Sequence, residues 1–484
     1  MRRVFLLSAL MLTVSNSSSL AEDRDLPRDA KTALRKAVGF FRNDVAVEGG
    51  YLWNYSEDLQ AREGEGKTDE FTIWTQPPGT PSVGMAMLKA YWRTGDRFYL
   101  DGARETGDAL IRTQLRSGGW DSSATFDPDR RRNHAYRVDP PNSKKKLRNT
   151  TTLDDDKTQS CVRFLIHLDK TLEFKDAQLH EAVRYALDHL IGAQFPNGAW
   201  PQRFSELPSE ADNPVLKASY PNEWSRTFPK KQYSIFYTFN DNAIADTIDV
   251  MFLAARVYED AKYAAAAERA GDFILLAQMP EPQPAWAQQY DANMHPAWAR
   301  KFEPPAVTGG ESQGVMRILM TIYRNTGKKK YLKPVPKALE YLKASVLDDG
   351  RLVRFYELRT NRPLYFTRDY QLTYSDADMP THYAFKVSNK LESIEREYRK
   401  LVETQKKDFR LKPYSIADGP SRVSASLEKR ARQVVDALDS QGRWVEEGQL
   451  KYQGEDNQTR RVIRCKTFIT NVGILADYLG AVSQ

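Results

Sequence analysis

Cysteine is scarce in this 484-residue chain: Cys161 and Cys465 are the only two. One disulfide at most is available, so a packed core rather than a covalent framework must hold the fold. Both cysteines lie in helical patterns, which keeps open a second reading as small buried side chains. The six histidines show no His-x-x-x-His spacing, which argues against a zinc centre. No apolar run reaches the length of a bilayer crossing, and no membrane partner is expected. Charge of one sign is also in short supply. The formal excess is only +7, too small by itself to suggest nucleic acid.

The chain opens Met1-Arg2-Arg3, continues with an apolar run from Val4 to Val14, and reaches Ser19-Leu20-Ala21. A charged start, a short apolar centre and a small-x-small site together read as an export signal over 1–21. A secreted or periplasmic protein is therefore expected, with a mature chain from Glu22. Loss of Arg2 and Arg3 would take the formal charge from +7 to +5.

The strongest internal signal is a repeated ending. Gln114-Leu-Arg-Ser-Gly-Gly-Trp120, Gln194-Phe-Pro-Asn-Gly-Ala-Trp200, Gln283-Pro-Ala-Trp286 and Asp439-Ser-Gln-Gly-Arg-Trp444 each follow a helical stretch. Gly49-Gly-Tyr-Leu-Trp53 follows the first one. Helical periodicity runs through roughly 27–43, 80–94, 98–116, 157–170, 175–194, 241–258, 262–278, 309–326 and 329–346. It continues through 390–405, 423–438 and 464–482. Short turns join the members of a pair, and long polar connections join successive pairs. Stacked helical hairpins follow, with the last helix pairing with the first. The predicted fold is all-α: one α/α toroid over 22–484, about six hairpins, long loops on one rim and a short β-hairpin. Long loops at one end, above the positive N-terminal ends of the inner helices, predict a single anion-friendly cleft.

The unusual residues sit in those loops. Asp154, Asp155 and Asp156 open one inner helix. One Asp suffices for an N-cap, and three repel one another, so a hard cation or a substrate is implied. Asn240 and Asp241 open the next inner helix in the equivalent place. Asp154 and Asp241 therefore face one shared cation in this reading. The third loop carries Trp286, Arg300 and Glu303 before Glu311, with aromatic and amide neighbours that suit a binding surface. The fourth, Arg351 to Asp369, reads as strand Leu352–Leu358, a polar turn and strand Pro363–Thr367. Its arginines, among them Arg354 and Arg368, alternate with tyrosines such as Tyr356. Planar guanidinium forks fit the carboxylates of an acidic sugar polymer.

At these residues the chain resembles the pectate lyases of polysaccharide lyase family 10, over about 150–385. The ordered motifs include the Asp-rich segment followed by Arg163-Phe164-Leu165, Asn197-Gly-Ala-Trp-Pro-Gln202 and Thr238-Phe-Asn-Asp241. Further along come Trp286-Ala-Gln-Gln-Tyr-Asp291, Ala299-Arg-Lys-Phe-Glu-Pro-Pro305, Gly310-Glu-Ser312, Arg354-Phe-Tyr-Glu357, Thr360-Asn-Arg-Pro363 and Arg368-Asp369. The resemblance implies calcium-assisted β-elimination across polygalacturonate by a monomer. It implies Asp154 and Asp241 as catalytic metal ligands and Arg300 as the base that takes the C5 proton. Arg354 and Arg368 would grip substrate carboxylates, with Asn240, Asp155, Trp286 and Tyr356 also at the substrate. The chain departs from the family pattern at Lys157, where a small residue is usual, at Cys161, where an acidic one is, and at Ser234, Phe236 and Tyr290, in place of histidines.

Three other readings share these features. A uronyl hydrolase on the same fold would need a carboxylate pair, such as Asp241 with Glu303 or Glu311. A non-catalytic polysaccharide-binding protein would use Trp286, Trp298 and the arginines. A terpene cyclase shares the Gly-x-Trp type of repeat, but export and an arginine-rich rim do not suit an apolar substrate.

Overall fold

Four of the five repeated tryptophans turn back on the helix they follow, whereas the Trp53 indole donates to the Gln76 carbonyl at 3.0 Å. The indole N–H of Trp120 donates to the Leu110 carbonyl, that of Trp200 to Leu190, that of Trp286 to Ile274 and that of Trp444 to Val434, at 2.7–3.0 Å. Each ring thus satisfies a carbonyl near the end of its own helix, where intrahelical partners run out. The glutamine that opens the motif binds the next unit. Gln114 donates to the carbonyls of Gly118 and Ala182, and Gln194 to those of Gly198 and Ala266. One short motif therefore ends a helix and docks it on its neighbour.

The computed structural model describes residues 25–140, 146–209, 213–230, 233–234, 236–403, 414–416, 419–454 and 457–483. The expected export signal lies outside the described residues. Thirteen helices are present among them. They are α1 (Leu26–Phe40), α2 (Thr80–Thr94), α3 (Arg97–Thr113), a single turn α4 (Pro128–Arg131), α5 (Lys157–Thr171), α6 (Ala177–Gly192) and α7 (Ala243–Tyr258). Then follow α8 (Ala261–Leu276), α9 (Glu311–Thr326), α10 (Val335–Ala344), α11 (Leu391–Glu403), α12 (Ala425–Asp436) and α13 (Cys465–Val482).

The fold is an α/α toroid. The inner helices follow in the order α13, α2, α5, α7, α9 and α11, each packed on the next. Outer helices α3, α6, α8 and α10 follow their inner partners in the chain, while α1 and α12 pack on α13. The last helix therefore pairs with the first, as the repeat requires. The turn after α12 also closes on α1: a Cβ on Gly442 would sit 2.8 Å from the Lys36 carbonyl oxygen. The α11 side is thinner. This helix buries only Leu391 and Ile394, and exposed or half-buried ion pairs tie it to α9 and α10 (Arg317 to Glu397, Lys343 to Glu395). Among the described residues no helix is long and apolar enough to cross a membrane. Cys161 and Cys465 are both buried and free.

A regularity invisible in the sequence closes four successive units at the rim. The strand just before an inner helix pairs, antiparallel, with the strand just after its outer partner. Thr72–Trp74 meets Ser123–Thr125, Thr151–Thr152 meets Arg203–Phe204, and Tyr237–Thr238 meets Gln289–Tyr290. Ala306–Thr308 meets Phe355–Glu357 in the same way. The expected β-hairpin is present but shorter. Phe355–Glu357 pairs with Pro363–Phe366, whereas Leu352–Val353 leaves to pair with Lys386–Val387. The break falls at Arg354, whose N–H goes to Phe385 and whose carbonyl accepts from Gly309.

Gly198 in the second motif has φ +94° and lies so close to α8 that a Cβ would fall 2.1 Å from the Arg269 carbonyl oxygen. Gly198→Ala should lower stability by on the order of 2–3 kcal/mol, measured as a lower urea midpoint at unchanged slope. Gly66→Ala, where nothing lies within 4 Å of the added carbon, should stay within about 0.5 kcal/mol.

Candidate active site

Two inner helices begin in the same unusual way. Asp155 and Asp156 before α5, and Asp241 and Asn242 before α7, all have φ between 49° and 58°. Left-handed backbone costs an L-residue about 1–2 kcal/mol at each position, and Asp and Asn tolerate it best. The two turns superimpose in register: Asp154 corresponds to Asn240, Asp155 to Asp241 and Lys157 to Ala243. Side by side, they bring carboxylate oxygens of Asp154, Asp155 and Asp241 within 4.8 Å of one another.

Three carboxylates at that spacing cannot all hold full negative charge without compensation. Burial, the hydrogen bond with Asp154 and the charges of Asp154 and Asp155 push the Asp241 carboxyl up to about 8. Burial also raises Asp154, but Lys157, the hydrogen bond with Asp241, Arg203 and Gln202 outweigh it and hold Asp154 below the ordinary range. The contacts are direct. Gln202 Nε2 donates to Asp154 at 2.9 Å, Arg203 stands 3.6 Å from Asp154, and Asn240 Nδ2 donates to Asp241 at 2.5 Å. Gln76 Nε2 reaches Asp155 at 3.3 Å.

Oxygen donors other than carboxylates border the cluster. The buried Oε1 atoms of Gln76 and Gln202 have no partner, although each side chain's nitrogen faces an aspartate. Amide and carboxylate oxygens make the donor set of a hard cation such as calcium. The residues therefore fit that ion. One neighbour does not: the Lys157 ammonium lies 3.5 Å from Asp154 and 3.4 Å from Asp155.

The third loop supplies the guanidinium. Arg300 is held by Glu303 through Nε at 2.9 Å and Nη2 at 2.5 Å, while its backbone N–H donates to the same carboxylate. Burial works against the Arg300 charge, but Glu303, with smaller help from Tyr383 and Asp241, raises its pKa. Glu303 is buried, and burial would raise it, yet Arg300 holds it below the usual range. Tyr383 also donates to Glu303 at 2.9 Å. Arg354 forms the next pair, Nη1 to Glu311 at 2.8 Å and Nε to the Ala384 carbonyl at 2.8 Å. Its charge is supported by Glu311, Tyr383, Glu303 and Asp241 against burial. Arg300 and Arg354 thus both sense Asp241.

Some expected residues lie elsewhere. Trp286 is fully buried, with its indole spent on Ile274, so no sugar can stack on it. Tyr356 is also core: its hydroxyl donates to Ser345 and accepts from Val353. Tyr290, at an expected histidine position, is buried and donates to Ala277. Arg368 is exposed and pairs with Asp378 at 3.3 Å, without a contact to the cluster among the described residues. Glu303 and Glu311, candidates for a hydrolase pair, are each committed to an arginine. Sequence reading did not find Gln76, Arg203 and Tyr383 as members of the site. They reach it from separate loops, and no local motif marks them.

Residues 129–322 match the family model described as pectic acid lyase. A family 10 polysaccharide lyase from Cellvibrio cellulosa is 22% identical, over 63% of this chain and 95% of that one, with a TM-score of 0.45. A mutant of that lyase in complex with trigalacturonic acid is 21% identical, over 66% and 98%, also with a TM-score of 0.45. A D-mannose isomerase is 14% identical over 94% and 98%, with a TM-score of 0.43. No curated protein matches. The family-model match makes residues 129–322, less than half of the chain, similar to pectic acid lyases. The resemblance to the pectate lyases of family 10, read from the motifs, holds over the matched residues. That segment contains Asp154, Asp241 and Arg300 and ends before Arg354 and Arg368.

Arg300→Ala would leave the buried Glu303 without its guanidinium. A loss of about 1–3 kcal/mol is expected at neutral pH, since Arg300 is partly exposed. Glu303 has a depressed folded pKa, so its pairing stabilises above the unfolded value and is lost as pH falls through the folded one. Urea unfolding of the variant and parent should therefore converge as pH drops from about 7 to below about 4.

Proposed function

We propose that this protein is an exported pectate lyase that cleaves polygalacturonate, or a related uronate polymer, by calcium-assisted β-elimination. The observation that carries this reading is the convergence of Asp154, Asp155 and Asp241 at two helix starts, with two anchored arginines, Arg300 and Arg354, near enough for their charges to act on Asp241. Asp154, Asp155 and Asp241 would hold calcium, which would supply positive charge beside the substrate carboxylate and favour enolate-like charge on it.

Arg354, fixed by Glu311 and the Ala384 carbonyl, receives a substrate carboxylate through its free guanidinium edge. Arg300 stands at the proton-removing position. The C5 proton passes to neutral Arg300, the C–H electron pair forms the C4–C5 double bond, and the C4–O bond to the leaving sugar breaks, with that oxygen taking a proton from solvent. A guanidinium serves as base only when neutral, and Glu303 opposes that state. Glu303 is therefore an anchor that sets the geometry of Arg300 and raises the pH at which it acts.

Product from polygalacturonate should absorb in the ultraviolet, through the new double bond, and absorbance should stop rising after chelation. A hydrolase or a binding protein would produce no chromophore. Arg300→Ala should reduce turnover by about 10²–10⁴-fold while retaining substrate binding, and near-parent turnover would remove Arg300 from the reaction. Glu303→Gln lowers the pKa of Arg300, so the rising limb of the pH–rate profile should move to lower pH. An unmoved limb would mean that Arg300 is not the titrating base.

A further inference from the structure

Lys157 is the second consequence of the charge crowding at the rim, and its position is anomalous on three counts. It stands at the first position of α5, where the positive end of the helix dipole disfavours a cation. Its side chain is only 3% exposed, and a buried ammonium needs paired charge. The equivalent first position of α7 holds Ala243, which brings no charge to its turn. What compensates Lys157 is the aspartate cluster itself, at 3.4 Å and 3.5 Å. Its burial also keeps it from being an open-surface contact for a sugar.

We propose that Lys157 is a tethered counter-ion that occupies part of the cation site, so that a divalent ion must displace or share charge with it and binds weakly as a result. This inference rests on the reading of Asp154, Asp155 and Asp241 as a cation site. It adds that the chain carries one positive charge of its own there. A divalent ion brought within reach of the same carboxylates meets the ammonium as a like charge, and the oxygens it needs are already engaged. The cluster is then partly neutralised without metal, and its affinity for calcium is set by the lysine rather than by the aspartates alone.

The test is calcium titration calorimetry on the full chain at fixed ionic strength, with the parent, Lys157→Met and Lys157→Arg. Removing the charge should tighten calcium binding by at least about tenfold, the equivalent of about 1.4 kcal/mol. Lys157→Arg keeps the charge and should stay within about threefold of the parent. Thermal melts supply a second readout: calcium should raise the melting temperature of Lys157→Met more than that of the parent. Should Lys157→Met fail to fold without calcium, folding on calcium addition supports the inference. Lys157→Gln, smaller and hydrogen-bonding, serves if it fails in both conditions. Equal or weaker binding by the neutral variants overturns the inference, as does an absence of calcium binding in every protein. The lyase reading is judged separately, by chromophore formation with the parent, so the two can fail independently.

Discussion

Repulsion among three carboxylates governs the rim of this toroid. Asp154, Asp155 and Asp241 converge within 4.8 Å because two neighbouring inner helices begin with the same left-handed turn. The α5 turn already holds Asp154 and Asp155, and the α7 turn adds Asp241. Placed side by side by the ring, they produce a concentration of negative charge that the surroundings must answer. The answers are graded: a carboxyl pushed up to about 8 on Asp241, amide donors from Gln76 and Gln202, and cationic groups from Lys157 and Arg203. The helix dipoles assist, since both turns lie at N-terminal ends.

The second layer of the site is a pair of anchored guanidinium groups. Each arginine has a dedicated glutamate, Arg300 with Glu303 and Arg354 with Glu311. The arrangement fixes orientation before any substrate arrives, which is what preorganised electrostatics requires. It also keeps both arginines charged at rest. Side-chain position and charge state are therefore coupled, so the same contact that aims Arg300 holds its proton. The tyrosine ring of Tyr383 lies near both cations and ties the two pairs together.

Much of the architecture was legible because it is periodic. The inner and outer helices fall within a few residues of their predicted ranges, and the pairing of the last helix with the first followed from the repeated ending. The aspartates and Arg300 were legible as motif residues on loops before helix starts. The rim strands were not, since pairs of two or three residues carry no measurable alternation. Trp286 and Tyr356 were misread for a related reason: an aromatic residue in a polar loop can point either way, and both point into the core. Arg368 shares its composition with Arg354, yet only Arg354 lies where the strand breaks toward the mouth. The burial of Lys157 against Asp154 and Asp155 is a fact of the folded turn, which the sequence marks only as a departure from a small residue.

The strand pairs at the rim give the four hairpins from α2 to α10 a definite beginning and end, lying next to each other. Chain entering one unit and chain leaving it are zipped together before the next unit starts. Segments between those zips can lengthen, shorten or be exchanged without pulling on the helices that position the aspartates. Variation in what the mouth accepts is thereby separated, by construction, from the stability of the ring beneath it.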